Sequence, residues 1–199
     1  MKLRTIALLT LVVILIGLPL YLLLGTNTKY RSDISYYRAL SGETDGRNAV
    51  RIFGPYGDNY CPYDLPMLSE LGDYEDVRFS YKAKRMSVFQ YHAYTLIVEY
   101  DENTYAEQRS ALEERYTYCT ASSQGFDSGD MTEYEYTMDG FEIHAIEGGY
   151  YPKEIMYIGY SDDRNEIAII YYYNQDLDFV DDPMGKFIVE NTGWRKVVK

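Results

Sequence analysis

The chain has 199 residues, enough for one ordinary domain with some length to spare, and 31 acidic residues against 19 basic ones give it a net charge of −12. That balance argues against nucleic acid or anionic lipid headgroups as partners, because both gather clustered Lys and Arg. Two histidines and two cysteines leave little material for metal sites or histidine-dependent triads.

Lys2 and Arg4 precede an uninterrupted apolar run from Thr5 to Leu24. A helix rises about 1.5 Å per residue, so twenty residues match a hydrocarbon core roughly 30 Å thick. The run is longer than the apolar core of a secretory signal, and Leu22 to Asn27 holds no Ala-x-Ala-like pair. Both features favour an uncleaved anchor over residues 1–25. Basic residues flank the run almost evenly, so orientation rests on length: the four or five residues before it stay inside while the bulk of the chain crosses. So short a tail leaves no room for a cytoplasmic signalling module. The expected location is the cell membrane, single-pass, with most of the chain extracytoplasmic and residues 5–24 in the lipid.

Past the anchor, 17 basic residues face 31 acidic ones, a charge of −14. This suits a domain held near a polyanionic wall without sticking to it. Of 24 tyrosines, 23 lie outside the anchor. Tyrosine buries a ring and keeps a hydroxyl wet, so these residues suit half-exposed sheet faces and a shallow core. An exposed group of them would stack on sugars or peptides.

Residues 26–48 are polar, punctuated by Gly42 and Gly46, and read as a stalk before an extracytoplasmic domain at 49–199. Ala49–Phe53 reads as a short strand. Pro55, Pro62 and Pro66 keep regular structure brief, with a helical turn or two at Leu65–Leu71. Val77–Lys82 alternates as a strand with one polar face. Lys82, Lys84 and Arg85 form a basic cluster read as a solvated strand end. Met86–Tyr100 reads as a central strand, apolar on both faces over Ala93–Val98. Thr104-x-x-Glu107 fits a capping box and predicts a helix to about Tyr118, whose spacing turns Tyr105, Leu112 and Cys119 to the core.

Tyr134, Tyr136 and Met138 alternate with polar residues, and Asp139-Gly140 predicts a type I′ hairpin turn. The register that follows pairs Met138 with Phe141, Tyr136 with Ile143, and Glu135 with His144 on the outer sheet surface. A second hairpin runs Glu154–Tyr160, turns at Ser161–Asn165 and returns through Glu166–Tyr173. Asp182-Pro183 opens a last helix, with Gly193 as its stop. The fold class is α+β: an antiparallel sheet built from hairpins, helices on one face, preceded by one N-terminal transmembrane helix.

Cys61 and Cys119 would close a loop of 57 residues if bridged, stabilising the fold by about 4 kcal/mol; two buried thiols are the alternative. The chain lacks HExxH, GxSxG, GxGxxG and a Walker lysine loop. Asp176–Asp182 and Asp127–Asp130 are acidic, but the first has Val180 and Asp181 where an EF-hand needs an oxygen ligand and glycine. Glu99, amid Ile97 and Tyr100, is the acid to watch for a buried functional role, but it reads first as an edge-facing or salt-bridged residue; His92 reads as a hydrogen-bonded strand residue. No residue is assigned as catalytic, cofactor-binding or metal-ligating, and no cofactor is expected.

The strings AYTLIVEYDENTYAEQRSALEERY (93–116) and IGYSDDRNEIAIIYYY (158–173) resemble an uncharacterised group of small exported, membrane-anchored proteins of Gram-positive bacteria. The group has no assigned activity, so the resemblance implies export and no functional residue. The expected function is a non-enzymatic extracytoplasmic domain that binds a protein partner or joins an envelope complex. Two alternatives are a glycan- or wall-peptide-binding module using exposed tyrosines, and an envelope hydrolase using two carboxylates.

Overall fold

The computed structural model describes residues 10–18, 26–44, 64–86, 89–125, 129–130, 134–148 and 154–174. Cys61, Ala49–Phe53, Asp176–Asp182 and the helix expected after Asp182 lie outside the described residues. Residues 10–18 are helical (α1), with Leu11 to Ile16 and Leu18 exposed. Among the described residues no helix is long and apolar enough to cross a membrane.

The body is α+β, as its hairpin pattern predicts. Seven antiparallel strands lie in the order β1-β2-β3-β9-β8-β7-β6. They are β1 (Thr26–Arg31), β2 (Asp76–Met86), β3 (Phe89–Glu99), β6 (Glu135–Met138), β7 (Phe141–Ile146), β8 (Glu154–Ser161) and β9 (Glu166–Asn174). A short ribbon, β4 (Gln124–Gly125) with β5 (Gly129–Asp130), stands apart. Helix α2 (Ile34–Leu40) follows β1, a 3-10 turn covers Leu68–Glu70, and α3 (Glu102–Arg115) follows β3. The chain therefore builds one meander, crosses over through α3 to the far edge, and fills inward with a second meander until β9 meets β3.

Both hairpins form as the turn chemistry dictates. Asp139 and Gly140 take φ of 48° and 79°, the two left-handed positions of a type I′ turn. The pairing Met138–Phe141, Thr137–Glu142, Tyr136–Ile143 and Glu135–His144 is the expected one. β8 and β9 pair Ser161 with Glu166 through Glu154 with Tyr173 around a turn at residues 162–165.

Alternation along the strands sorts the core into two layers. Tyr94, Leu96, Val98, Ile158, Ile167, Ile169 and Tyr171 face one side, where α2 supplies Tyr37 and α3 supplies Tyr105 and Leu112. Ala93, Ile97, Ile143, Ile155, Ile170 and Tyr172 face the other, joined by Cys119 and Tyr134. β3 is central and buried on both faces over 93–98, as its unbroken apolar run predicts.

Three expectations are corrected. Residues 26–44 are no stalk: β1 pairs with β2 along its whole length, and Tyr37 of α2 is fully buried, its hydroxyl donating to the Pro66 carbonyl at 2.7 Å. An edge strand is polar because little of it is covered, so it resembles a stalk when read alone. The cap of α3 is Asp101, not Thr104. Its carboxylate accepts from the amides of Asn103 and Thr104 at 2.9 and 3.1 Å and from the Thr104 hydroxyl at 2.6 Å. The helix also stops at Arg115, so Cys119 is not helical. It reaches the opposite core layer because Tyr118 bridges to Ile146 and the Cys119 amide donates to the Ala145 carbonyl at 2.8 Å.

Candidate functional site

One continuous line of polar and aromatic groups crosses the helix-bearing face. It begins on α3, where Arg109 donates to Asp162 at 2.6 Å and to Glu113 at 2.9 Å, and lies 4.7 Å over the Tyr160 ring. Tyr105, one helical turn earlier, donates to the same Asp162 oxygen at 2.5 Å. That bond, the largest influence, holds the Asp162 carboxyl below its ordinary range. The Tyr160 hydroxyl bonds that of Tyr118, and Tyr118 stacks flat on His144, centroids 5.1 Å apart and planes 10° apart. Burial pushes both tyrosines' pKa up, so neither hydroxyl ionises near neutrality.

His144 ends the line. Its Nδ1 lies 3.5 Å from Glu135 and its Nε2 lies 3.8 Å from Glu142. The cross-strand partner is the expected Glu135, but the setting is not an open outer surface. His144 is half-buried on the helix-bearing side, under Tyr118. Carboxylates stand beside both ring nitrogens, on opposite sides of the ring, so they do not converge on one point as metal ligands would. Among the described residues no group of three or more His, Cys, Asp or Glu is placed to hold a metal ion.

Among the described residues two acids are buried, Glu154 and Glu166, while Glu99 is half-buried in the row Asp76–Glu99–Glu166. Glu166, at the start of β9, lies between Arg78 and Arg164, the latter at 2.7 Å. Arg164 also donates to the Asp139 carbonyl at 2.9 Å and covers the Phe141 ring at 4.6 Å, which ties the two hairpin turns together. Glu154, at the start of β8, accepts from Tyr171. Burial raises its carboxyl above the ordinary value, and the Tyr171 bond offsets only part of that.

Hydrolysis by paired carboxylates needs acids about 5–10 Å apart. Glu154 pairs with Tyr173, seven residues along β9 from Glu166, which is about 23 Å at 3.3 Å per residue. The two also face opposite core layers, so they make no acid pair. Cys119 carries a free thiol. Burial pushes it up to about 11, with Glu147 adding to the effect, so it stays protonated and weakly nucleophilic near neutrality. Among the described tyrosines whose side chains are placed, Tyr30 alone is exposed and the others line or border the core. His92 occupies the register row of Tyr173 and Glu154.

Glu154 and Glu166 are invisible as buried acids in the sequence. Each opens a strand of an apolar hairpin, which is a local signal, but burial is decided by partners such as Arg78, 88 residues away.

The raised carboxyl of Glu154 has a consequence for stability. A carboxyl raised in the folded state favours folding while protonated, and that contribution is lost as pH rises from the unfolded value, about 4.3, through the folded one. Glu154→Gln is therefore expected to be more stable than the parent at pH 8, with the gain vanishing towards pH 4. Thermal melts of both proteins across that range check the sign; a gain confined to acid would refute it.

Comparison with protein-family models, curated proteins and solved structures finds no match to this chain. The geometry therefore carries the functional reading alone.

Proposed function

We propose that this chain is a membrane-anchored, non-enzymatic protein whose α+β domain lies outside the membrane and works by contact with another envelope protein. The observation that carries the anchor is α1. Its large apolar side chains, Leu11 to Ile16 and Leu18, are 43–65 % exposed, so the folded domain does not cover them. They sit inside the apolar run 5–24, whose length suits a bilayer. A helix apolar all round calls for an apolar surrounding. The non-enzymatic half rests on chemistry: a protonated thiol, a histidine enclosed by acids and a tyrosine ring, and buried acids far apart. β1 and β6, the outer strands among the described residues, supply the means of contact, since a sheet edge offers backbone groups to an added strand.

Fractionation of cells expressing the full chain tests the anchor. The protein is expected in the membrane pellet after alkaline carbonate washing. Val13→Arg with Ile16→Arg is expected to release it, because each charge costs about 2.5–3.5 kcal/mol at the bilayer centre. A parent protein found in the soluble fraction overturns the anchor. A photo-crosslinker in place of Thr137 on β6 is expected to give a larger adduct in the native membrane, and its absence removes the partner.

A further inference from the structure

Across β1, β2 and β3 the sheet is charge-polarised along its strands, and the basic end is the end at which the apolar run enters. The acid that shares that end, Glu154 on β8, is buried and bonded by Tyr171. β1 begins at Thr26, and only Gly25 separates it from Leu24, the last residue of the run. Consecutive Cα atoms are about 3.8 Å apart, so Thr26 lies within about 8 Å of Leu24 whatever path the chain takes. If Leu24 marks the edge of the hydrocarbon, Thr26 is at headgroup depth, since that layer is roughly 5–8 Å thick on each side. The register carries this depth across the sheet: Thr26 pairs with Met86, and Met86 with Phe89.

The three segments that meet there, 26–31, 82–86 and 89–95, hold Lys29, Arg31, Lys82, Lys84 and Arg85 and no acid. Pairing of Thr28 with Lys84, Lys29 with Ala83, and Tyr30 with Lys82 merges two basic stretches that lie about fifty residues apart in sequence. Tyr30 is exposed, with the Lys82 ammonium 5.7 Å above its ring. The opposite end, ten residues down β2 and about 33 Å away at 3.3 Å per residue, is acidic. There Asp76, Glu99 and Glu166 share one row, beside Asp73, Asp101 and Asp162, and these acids outnumber the arginines among them, Arg78 and Arg164 on Glu166 and Arg109 on Asp162.

We infer that the β1–β2 end of the domain lies against the bilayer and binds anionic lipid headgroups through its basic residues. The inference rests on the anchored reading and specifies what the domain's first contact is. A net charge of −14 past the anchor argues against lipid only if the surface responds to the whole domain. With a Debye length of about 8 Å at physiological salt, the headgroups respond to the near end alone. Interfacial Tyr beside Lys and Arg is the composition that suits such a layer.

Hydrogen exchange on the full chain in lipid nanodiscs tests it. One set of discs holds phosphatidylcholine, the other an equal mixture with phosphatidylglycerol. Amides of 26–31 and 82–86 are expected to exchange about fivefold more slowly, or better, in the anionic discs, reverting in high salt. Amides of 73–76 and 161–166 are expected to stay unchanged. Lys29→Gln, Lys84→Gln and Arg85→Gln together should erase the difference while leaving the acidic end as it was. Equal exchange in both lipids overturns the apposition and leaves the anchor standing. Failure of the chain to co-elute with discs overturns both. Equal slowing by soluble polyphosphate in neutral discs overturns the lipid assignment in favour of a wall polyanion.

Discussion

Replacing Arg78 and Arg164 together by alanine is expected to destabilise the domain by about 3–5 kcal/mol, more than the two single losses suggest. The asymmetry lies in where the charges sit. Glu166 is buried, with 7 % of its side chain exposed, while its two arginines are about half in solvent. Removing one arginine leaves the carboxylate one partner. Removing both leaves a charge that water cannot reach. The substitution also uncovers Phe141 and frees the Asp139 carbonyl, so the two hairpin turns lose their tie. Denaturant unfolding of the singles and the double measures the coupling. Adding Glu166→Leu to the double should recover most of the loss, because an apolar side chain in place of a buried ion pair is near neutral. If that triple variant stays as unstable as the double, the arginines matter for packing and not for the buried charge.

What the sequence disclosed follows from how local each cause is. Asp139-Gly140 needs only its own backbone angles to set the β6–β7 register, and the Glu154–Tyr173 hairpin needs only its turn, so both were legible in full. β3 was legible because an unbroken apolar run has one home, the middle of a sheet. The cap of α3 is misread from sequence because Thr104 and Glu107 satisfy a known pattern while Asp101 satisfies the amides sooner, as soon as β3 ends. β1 escapes a sequence reading because its partner strand begins about fifty residues later, and no pattern in TNTKYR names it.

The candidate sites were less legible than the fold for the same reason. His144 and Glu135 face each other across a turn, so that contact could be derived; Tyr118, which half-buries the ring, comes from the crossover segment and could not. The basic end of the sheet shows the difference most plainly. Lys82, Lys84 and Arg85 alone resemble a solvated strand end. Joined to Lys29 and Arg31 by strand pairing, close behind the apolar run, they become a surface with a direction.

The second large effect is expected at Tyr94, where alanine should cost about 3–5 kcal/mol. Tyr94 sits on the central strand, fully buried, and is the ring on which three elements meet. It stacks on Tyr171 of β9 at 5.3 Å and 16°, meets Tyr37 of α2 edge-on at 6.3 Å and 74°, and lies 6.2 Å from Phe79 of β2. Ladder bonds on both edges of β3 keep the strand from shifting into the space left behind, so the cavity stays open and the cost stays near the upper range. Tyr94→Phe keeps the ring and should retain most of the stability, which separates lost packing from a lost hydroxyl. The damage should also be uneven. Tyr37 fixes α2 to the sheet, and α2 directly follows β1, so amides of 34–40 are expected to lose exchange protection before those of β8 and β9. A uniform loss, or a cost under about 1 kcal/mol, would mean that the rings merely fill space and that the 26–44 segment is held by β1 alone.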